Sequence, residues 1–73
     1  MLRRWKCLHA SGYIWTIESN AEKGTLKIID HNDKVVHEEK NVRKETLQAV
    51  ENHYTGCDDK PKDCKDAIQL MYG

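Results

Sequence analysis

Two short stretches near the N-terminus alternate side-chain character around a three-residue turn, and this pattern limits the fold more than any other feature. Trp5, Cys7 and His9 precede Ala10-Ser11-Gly12, and Tyr13, Trp15 and Ile17 follow it. Successive side chains on a strand point to opposite faces, so a period of two reads as β-structure. With three residues in the turn, His9 faces Tyr13, Cys7 faces Trp15 and Trp5 faces Ile17, which gathers all six on one face. The other face then carries Arg4, Lys6, Leu8, Ile14, Thr16 and Glu18. A two-residue turn would mix the two sets, and a slip of one residue that sends an apolar set to the wrong side is disfavoured.

A second hairpin follows. Ser19 to Gly24 reads as a polar loop ending in glycine. Thr25-Leu26-Lys27-Ile28-Ile29-Asp30 has strand composition, His31-Asn32-Asp33 has turn composition, and Lys34 to Lys40 supplies the return strand. Asn and Asp tolerate the left-handed backbone region and bond to their own main chain. Two registers are open here. A three-residue loop pairs Ile28 with Val36, and a two-residue loop pairs Ile28 with His37. The acidic end of the last strand suits an exposed edge, where charge discourages pairing with other sheets.

At Asn41 the period changes to three and four. Asn41 is the expected N-cap of a helix whose stripe is Arg43, Leu47, Val50 and Tyr54, and Gly56 is its expected stop. A charged linker leads to Pro61, expected in the first turn of a second helix that sets Cys64, Ala67, Ile68 and Met71 on one face. The predicted fold is therefore α+β: one domain spanning 1–73, a four-stranded antiparallel sheet built from two hairpins, then one or two C-terminal helices on one face, in the order ββββαα. The predicted core is Trp5, Cys7, Trp15, Ile17, Leu26, Ile28, Leu47, Val50, Ile68 and Met71.

Composition narrows the functional classes. A chain of 73 residues buries about 60% of its unfolded surface, which leaves a thin core. Charged residues are 33% of the chain and the mean hydropathy is −0.83, as in a polar-surfaced globule. No apolar run approaches the ~18 residues of a spanning helix, so no membrane partner is expected. Met1 to Lys6 carries charge with no apolar stretch after it, so no secretory signal is expected. Twelve bases and twelve acids cancel, which argues against binding nucleic acid by bulk charge. The balance is uneven, however, because Arg3, Arg4 and Lys6 meet no acid within the first 17 residues. Three cysteines is an odd number, so a cytoplasmic location with free thiols is expected, although Cys57 and Cys64 can pair and leave Cys7 alone.

Three groups of residues carry possible chemistry. Cys7, His9, Cys57 and Cys64 have the donor atoms of a zinc site, with Cys7 and His9 on one strand face and His53 and Cys57 one helical turn apart. No paired-cysteine knuckle is present, and the seven-residue spacing of Cys57 and Cys64 fits no common zinc pattern. Cys7 and His9 also resemble a thiol–imidazole pair, but their Cα atoms stand about 7 Å apart along a strand. Trp5, Tyr13 and Trp15 beside Arg3, Arg4 and Lys6 have the residue types of a surface that stacks bases. The order of four strands and a helix is similar to that of Whirly-type and Pur-type single-strand binders, a likeness of element order without a shared motif. Against it, Arg4 and Lys6 alternate onto the face opposite Trp5.

The remaining feature is the other sheet face. Leu8 and Ile14 are apolar there, joined by Ile29 and Val35 in one register of the second hairpin. Helices on a single side leave that strip uncovered, and such strips mark protein interfaces. No phosphate-binding glycine loop and no nucleophile elbow occurs. The expectation is a non-enzymatic interaction module without a cofactor. It would self-associate or dock on a protein through Leu8 and Ile14 or an edge strand. A single-stranded nucleic-acid binder and a zinc-stabilised fold are the alternatives.

Overall fold

The computed structural model describes residues 2–55 and 61–72. Four strands, β1 (Leu2–Leu8), β2 (Ile14–Asn20), β3 (Thr25–Ile29) and β4 (Val35–Glu39), precede two helices, α1 (Lys44–Tyr54) and α2 (Lys65–Tyr72). The strands form one antiparallel sheet in chain order, β1-β2-β3-β4. The predicted ββββαα architecture is the one observed.

The first hairpin has the expected register, with Trp5 opposite Ile17 and Cys7 opposite Trp15. The His9 N–H donates to the Tyr13 carbonyl at 3.0 Å, and Gly12 closes the turn at φ +91°. The second hairpin repeats this device. The Asp30 N–H donates to the Lys34 carbonyl at 2.9 Å, and Asp33 occupies the equivalent left-handed position at φ 66°. The Asp30 carboxylate accepts the N–H groups of Asn32 and Lys34, both at 2.9 Å, which fixes the turn. Its register draws on both expected pairings. Ile29 lies opposite Val35, as a three-residue loop requires, whereas Ile28 lies opposite His37. Val36 is the extra residue between them, and this bulge lets the strand change register.

The core lies between one sheet face and the helices. Cys7, Ile17, Leu26, Ile28, Leu47, Val50, Tyr54, Cys64 and Ala67 are buried together, with Trp5, Trp15, Ile68 and Met71 packed on them. Every residue of the predicted core is in this set. Helix α1 does not start as expected. Asn41 is not the N-cap; it takes a left-handed conformation at φ 58°, and Arg43 holds the cap position without a side-chain hydrogen bond. The reason is tertiary: the Val42 N–H is bonded to the Gly24 carbonyl at 2.8 Å, which keeps the chain extended past Asn41. Gly24 itself is at φ +66°, and a Cβ there would come within 3.3 Å of the Val42 carbonyl oxygen, so both contact and conformation favour glycine. The expected stop at Gly56 lies outside the described residues.

The approach to α2 also departs from expectation. Pro61 is not in the first turn of the helix, which begins at Lys65. The chain before the helix runs beside β1 instead. Leu8 donates its N–H to the Lys62 carbonyl at 2.8 Å, and Cys64 donates to the Leu8 carbonyl at 3.1 Å, forming a parallel bridge. That bridge brings Cys64 onto Cys7. The two are joined in a disulfide with Cα atoms 5.1 Å apart, and both residues are buried. The expectation of free thiols, and of Cys57 as the partner of Cys64, is thereby corrected. Cys57 lies outside the described residues.

Tyr54 completes the attachment. Its hydroxyl donates to the Asp63 carbonyl at 2.6 Å and accepts the Ala67 N–H at 3.0 Å, while His53 Nε2 meets Asp66 Oδ2 at 2.8 Å. Burial pushes the phenol well above its ordinary value of 10.0; the Ala67 N–H opposes that rise, and the carboxylates of Asp66 and Asp63 add to it.

Two expected outcomes follow from these attachments. Reducing the disulfide, or replacing Cys64 by Ala, should lower the unfolding free energy by about 4 kcal/mol, the chain-entropy value for a loop closed across 57 residues. Denaturant titrations with and without reductant measure it, and an unchanged midpoint removes the clamp. The second outcome concerns alkaline pH. Above pH 10 the unfolded-state phenol ionises while the buried Tyr54 keeps its proton, so the native state binds more protons and stability falls as pH rises. Tyr54→Phe should flatten that fall above pH 10. At pH 7 it should cost about 1–3 kcal/mol, because the Ala67 N–H and Asp63 carbonyl lose a buried partner.

Candidate functional site

The six residues of the basic, aromatic hairpin do not form one surface. Alternation along β1 sends Arg3 and Trp5 toward the helices and Arg4 and Lys6 to the open face. Arg3 is tied to Glu51 of α1 at 2.7 Å, and Arg4 Nε to Glu18 Oε2 at 2.8 Å. Trp5 and Trp15 pack against the core. The ring of His9 covers Trp15, stacked at 3.5 Å, and Ser11 donates its N–H to His9 Nδ1 at 3.2 Å. The Ser11 hydroxyl oxygen lies 2.8 Å from the same nitrogen. Tyr13 is exposed and stacks on His31 of the second turn at 3.9 Å, linking the two hairpin tips.

The proposed zinc donors are likewise separated in role. Cys7 and Cys64 are bonded to each other, which leaves neither as a thiolate, and His9 is turned onto Trp15. The same bond removes the thiol from the Cys7–His9 pair. No group of three or more potential ligands converges among the described residues. A cleft of about 410 Å³ lies where the end of β4, the start of α1 and the end of α2 meet. Its walls carry Lys40 and Arg43 beside Glu39, and the Tyr72 hydroxyl is hydrogen-bonded to Glu39. The charges there are mixed, and the Tyr72–Glu39 hydrogen bond ties the end of α2 to β4.

The open face is more ordered than the sequence pattern implied. Leu8 lies opposite Ile14 and Ile29 lies opposite Val35, so these four form an oblique apolar band across all four strands. Leu8, Ile14 and Val35 are 42%, 44% and 46% exposed, whereas Ile29 is 9% exposed yet lies outside the main core cluster. Both helices sit on the opposite side of the sheet. Next to the band runs a row of charges. Arg4, Glu18, Lys27 and Glu38 are directly opposite one another on successive strands and alternate in sign. Arg4–Glu18 and Lys27–Glu38 are ion pairs at 2.8 and 3.6 Å. Strand registers alone determine this row, so it was hidden until the second hairpin was aligned.

Comparison with protein families, curated proteins and solved structures gave no match for this chain.

The partition of aromatics has a measurable consequence. Trp15→Ala should cost about 2–4 kcal/mol, as truncation of a large side chain against a core. Tyr13→Ala should stay within about 1 kcal/mol, as an exposed substitution. Equal losses in chemical denaturation would contradict the division between core and surface aromatics.

Proposed function

We propose that this chain is a non-enzymatic interaction module that associates with protein through the open face of its sheet. The observation that carries this reading is the band of Leu8, Ile14, Ile29 and Val35 on the face opposite both helices. Three exposed aliphatic side chains around a buried fourth form a continuous surface, unlike aliphatics scattered singly. The sheet edges are less suited to the task. β1 is occupied at Leu8 by the 62–64 segment, and β4 carries a bulge together with Glu38 and Glu39.

A nucleic-acid reading has less support, because Trp5 and Trp15 belong to one face while Arg4 and Lys6 belong to the other. The buried disulfide favours an oxidising environment over the reducing cytoplasm expected from the cysteine count. With a core this thin, catalysis would need a polar cluster in an enclosed cavity, and in the 410 Å³ cleft Glu39 is already engaged by the Tyr72 hydroxyl.

The test combines sedimentation velocity with a double substitution. The wild-type chain should show a species heavier than 8.5 kDa as concentration rises. Leu8→Thr with Ile14→Thr should return it to the monomer while preserving the far-UV spectrum, since both side chains face water in the monomer. A monomer at every concentration counts against the reading. Saturable binding of an oligonucleotide that weakens steeply with salt would replace it with the nucleic-acid alternative.

A further inference from the structure

Resting on the open-face reading, we propose that the partner is a second copy of this chain, docked face to face about a two-fold axis that runs parallel to the strands. The argument comes from the row Arg4, Glu18, Lys27, Glu38, whose signs across the sheet run plus, minus, plus, minus. A row of four alternating charges is antisymmetric about its midpoint. When two identical faces meet, the two-fold axis lies in the plane between them, and an axis along the strands reverses the order across the sheet. Strand β1 then lies over the partner's β4, and β2 over the partner's β3. Every position in the row meets its opposite: Arg4 faces the second copy's Glu38, and Glu18 faces its Lys27. Each row is neutral within its own copy, through the Arg4–Glu18 and Lys27–Glu38 ion pairs, so no net repulsion opposes docking.

A two-fold axis running across the strands never matches the row with its opposite signs: placed on the row it lays Arg4 on Arg4 and Glu18 on Glu18, and placed elsewhere it takes the row off its counterpart. Along the strands, each row faces its own copy; the oblique apolar bands cross at the axis, and in the row of Lys6, Thr16, Ile29 and Val35 the stem of Lys6 faces the second copy's Val35 and Thr16 faces its Ile29. Lys6 is the one unmatched cation in the adjoining row, beside Thr16, and its long stem allows the ammonium to reach water at the rim. The face is small, about 19 Å across four strands, so a dissociation constant in the micromolar range is expected.

Charge reversal tests the axis. In Glu18→Lys, residue 18 of each copy meets the other copy's Lys27, and the clash occurs twice by symmetry. In Lys27→Glu, residue 27 meets Glu18 twice. Each variant alone should dimerise at least tenfold more weakly than wild type. An equimolar mixture should restore a one-to-one heterodimer, because both central contacts then join opposite charges. The outer pair, Arg4→Glu mixed with Glu38→Arg, should behave the same way and lies on the edge strands, where the cost to folding is smaller. Denaturant titration identifies any variant that has lost its fold. A dimer that disappears with Leu8→Thr and Ile14→Thr but ignores the charge reversals overturns the axis and leaves the open-face reading standing. Variants that weaken the dimer without rescue in the mixture also overturn it. A wild-type chain that remains monomeric overturns both.

Discussion

The Cys7–Cys64 bond is the constraint on which the rest of the architecture depends. Helix α2 has eight residues, too few to persist in water without tertiary support. Its attachment consists of the disulfide, the bridge from Leu8 to Lys62 and Cys64, and the Tyr54 hydroxyl held between Asp63 and Ala67. These contacts cluster within one turn of the helix start. The disulfide joins residues 57 positions apart, so it shortens the unfolded chain's reach where a thin core has least to spare. It also determines which side of the sheet is covered. Cys7 points to the face that carries Ile17, Leu26 and Ile28, and α2 is fastened there.

Covering one face leaves the other to be solved by side chains alone. The open face handles this with an apolar band at the turn end and an alternating charged row beside it. Exposed ion pairs contribute little to stability, commonly under about 1 kcal/mol each. In the proposed face-to-face pairing it is their arrangement that matters, because like charges placed opposite across an interface exclude wrong partners and wrong orientations. The basic character of the first strand is dissipated by the same alternation. Arg3 is engaged by Glu51 on one side and Arg4 by Glu18 on the other.

Much of this was legible in the residues. The first hairpin could be aligned because its two apolar sets segregate in only one register, and the core followed from periods of two and of three to four. The second hairpin could not be aligned in the same way. Its strand alternation allowed two registers, and the structure uses both, separated by the bulge at Val36. The start of α1 was misread at Asn41 because the local preference for a cap lost to a hydrogen bond between Val42 and Gly24, which are distant in sequence. The charged row was not legible at all until the β3–β4 pairing was known, since its four members come from four strands.

The sequence by itself determined the element order, the strand alternation and the inward direction of Cys7. Those properties depend on side chains a few positions apart, whose directions follow from backbone periodicity. Only the tertiary structure decided which two cysteines meet, how the second hairpin is paired, and how Arg4, Glu18, Lys27 and Glu38 line up across the sheet. Cys57 and Cys64 are close in sequence, yet the bond goes to Cys7 because the 62–64 segment hydrogen-bonds beside Leu8 and sets the Cα atoms 5.1 Å apart. Contacts of that kind depend on where whole elements land, and no local pattern encodes a position between elements.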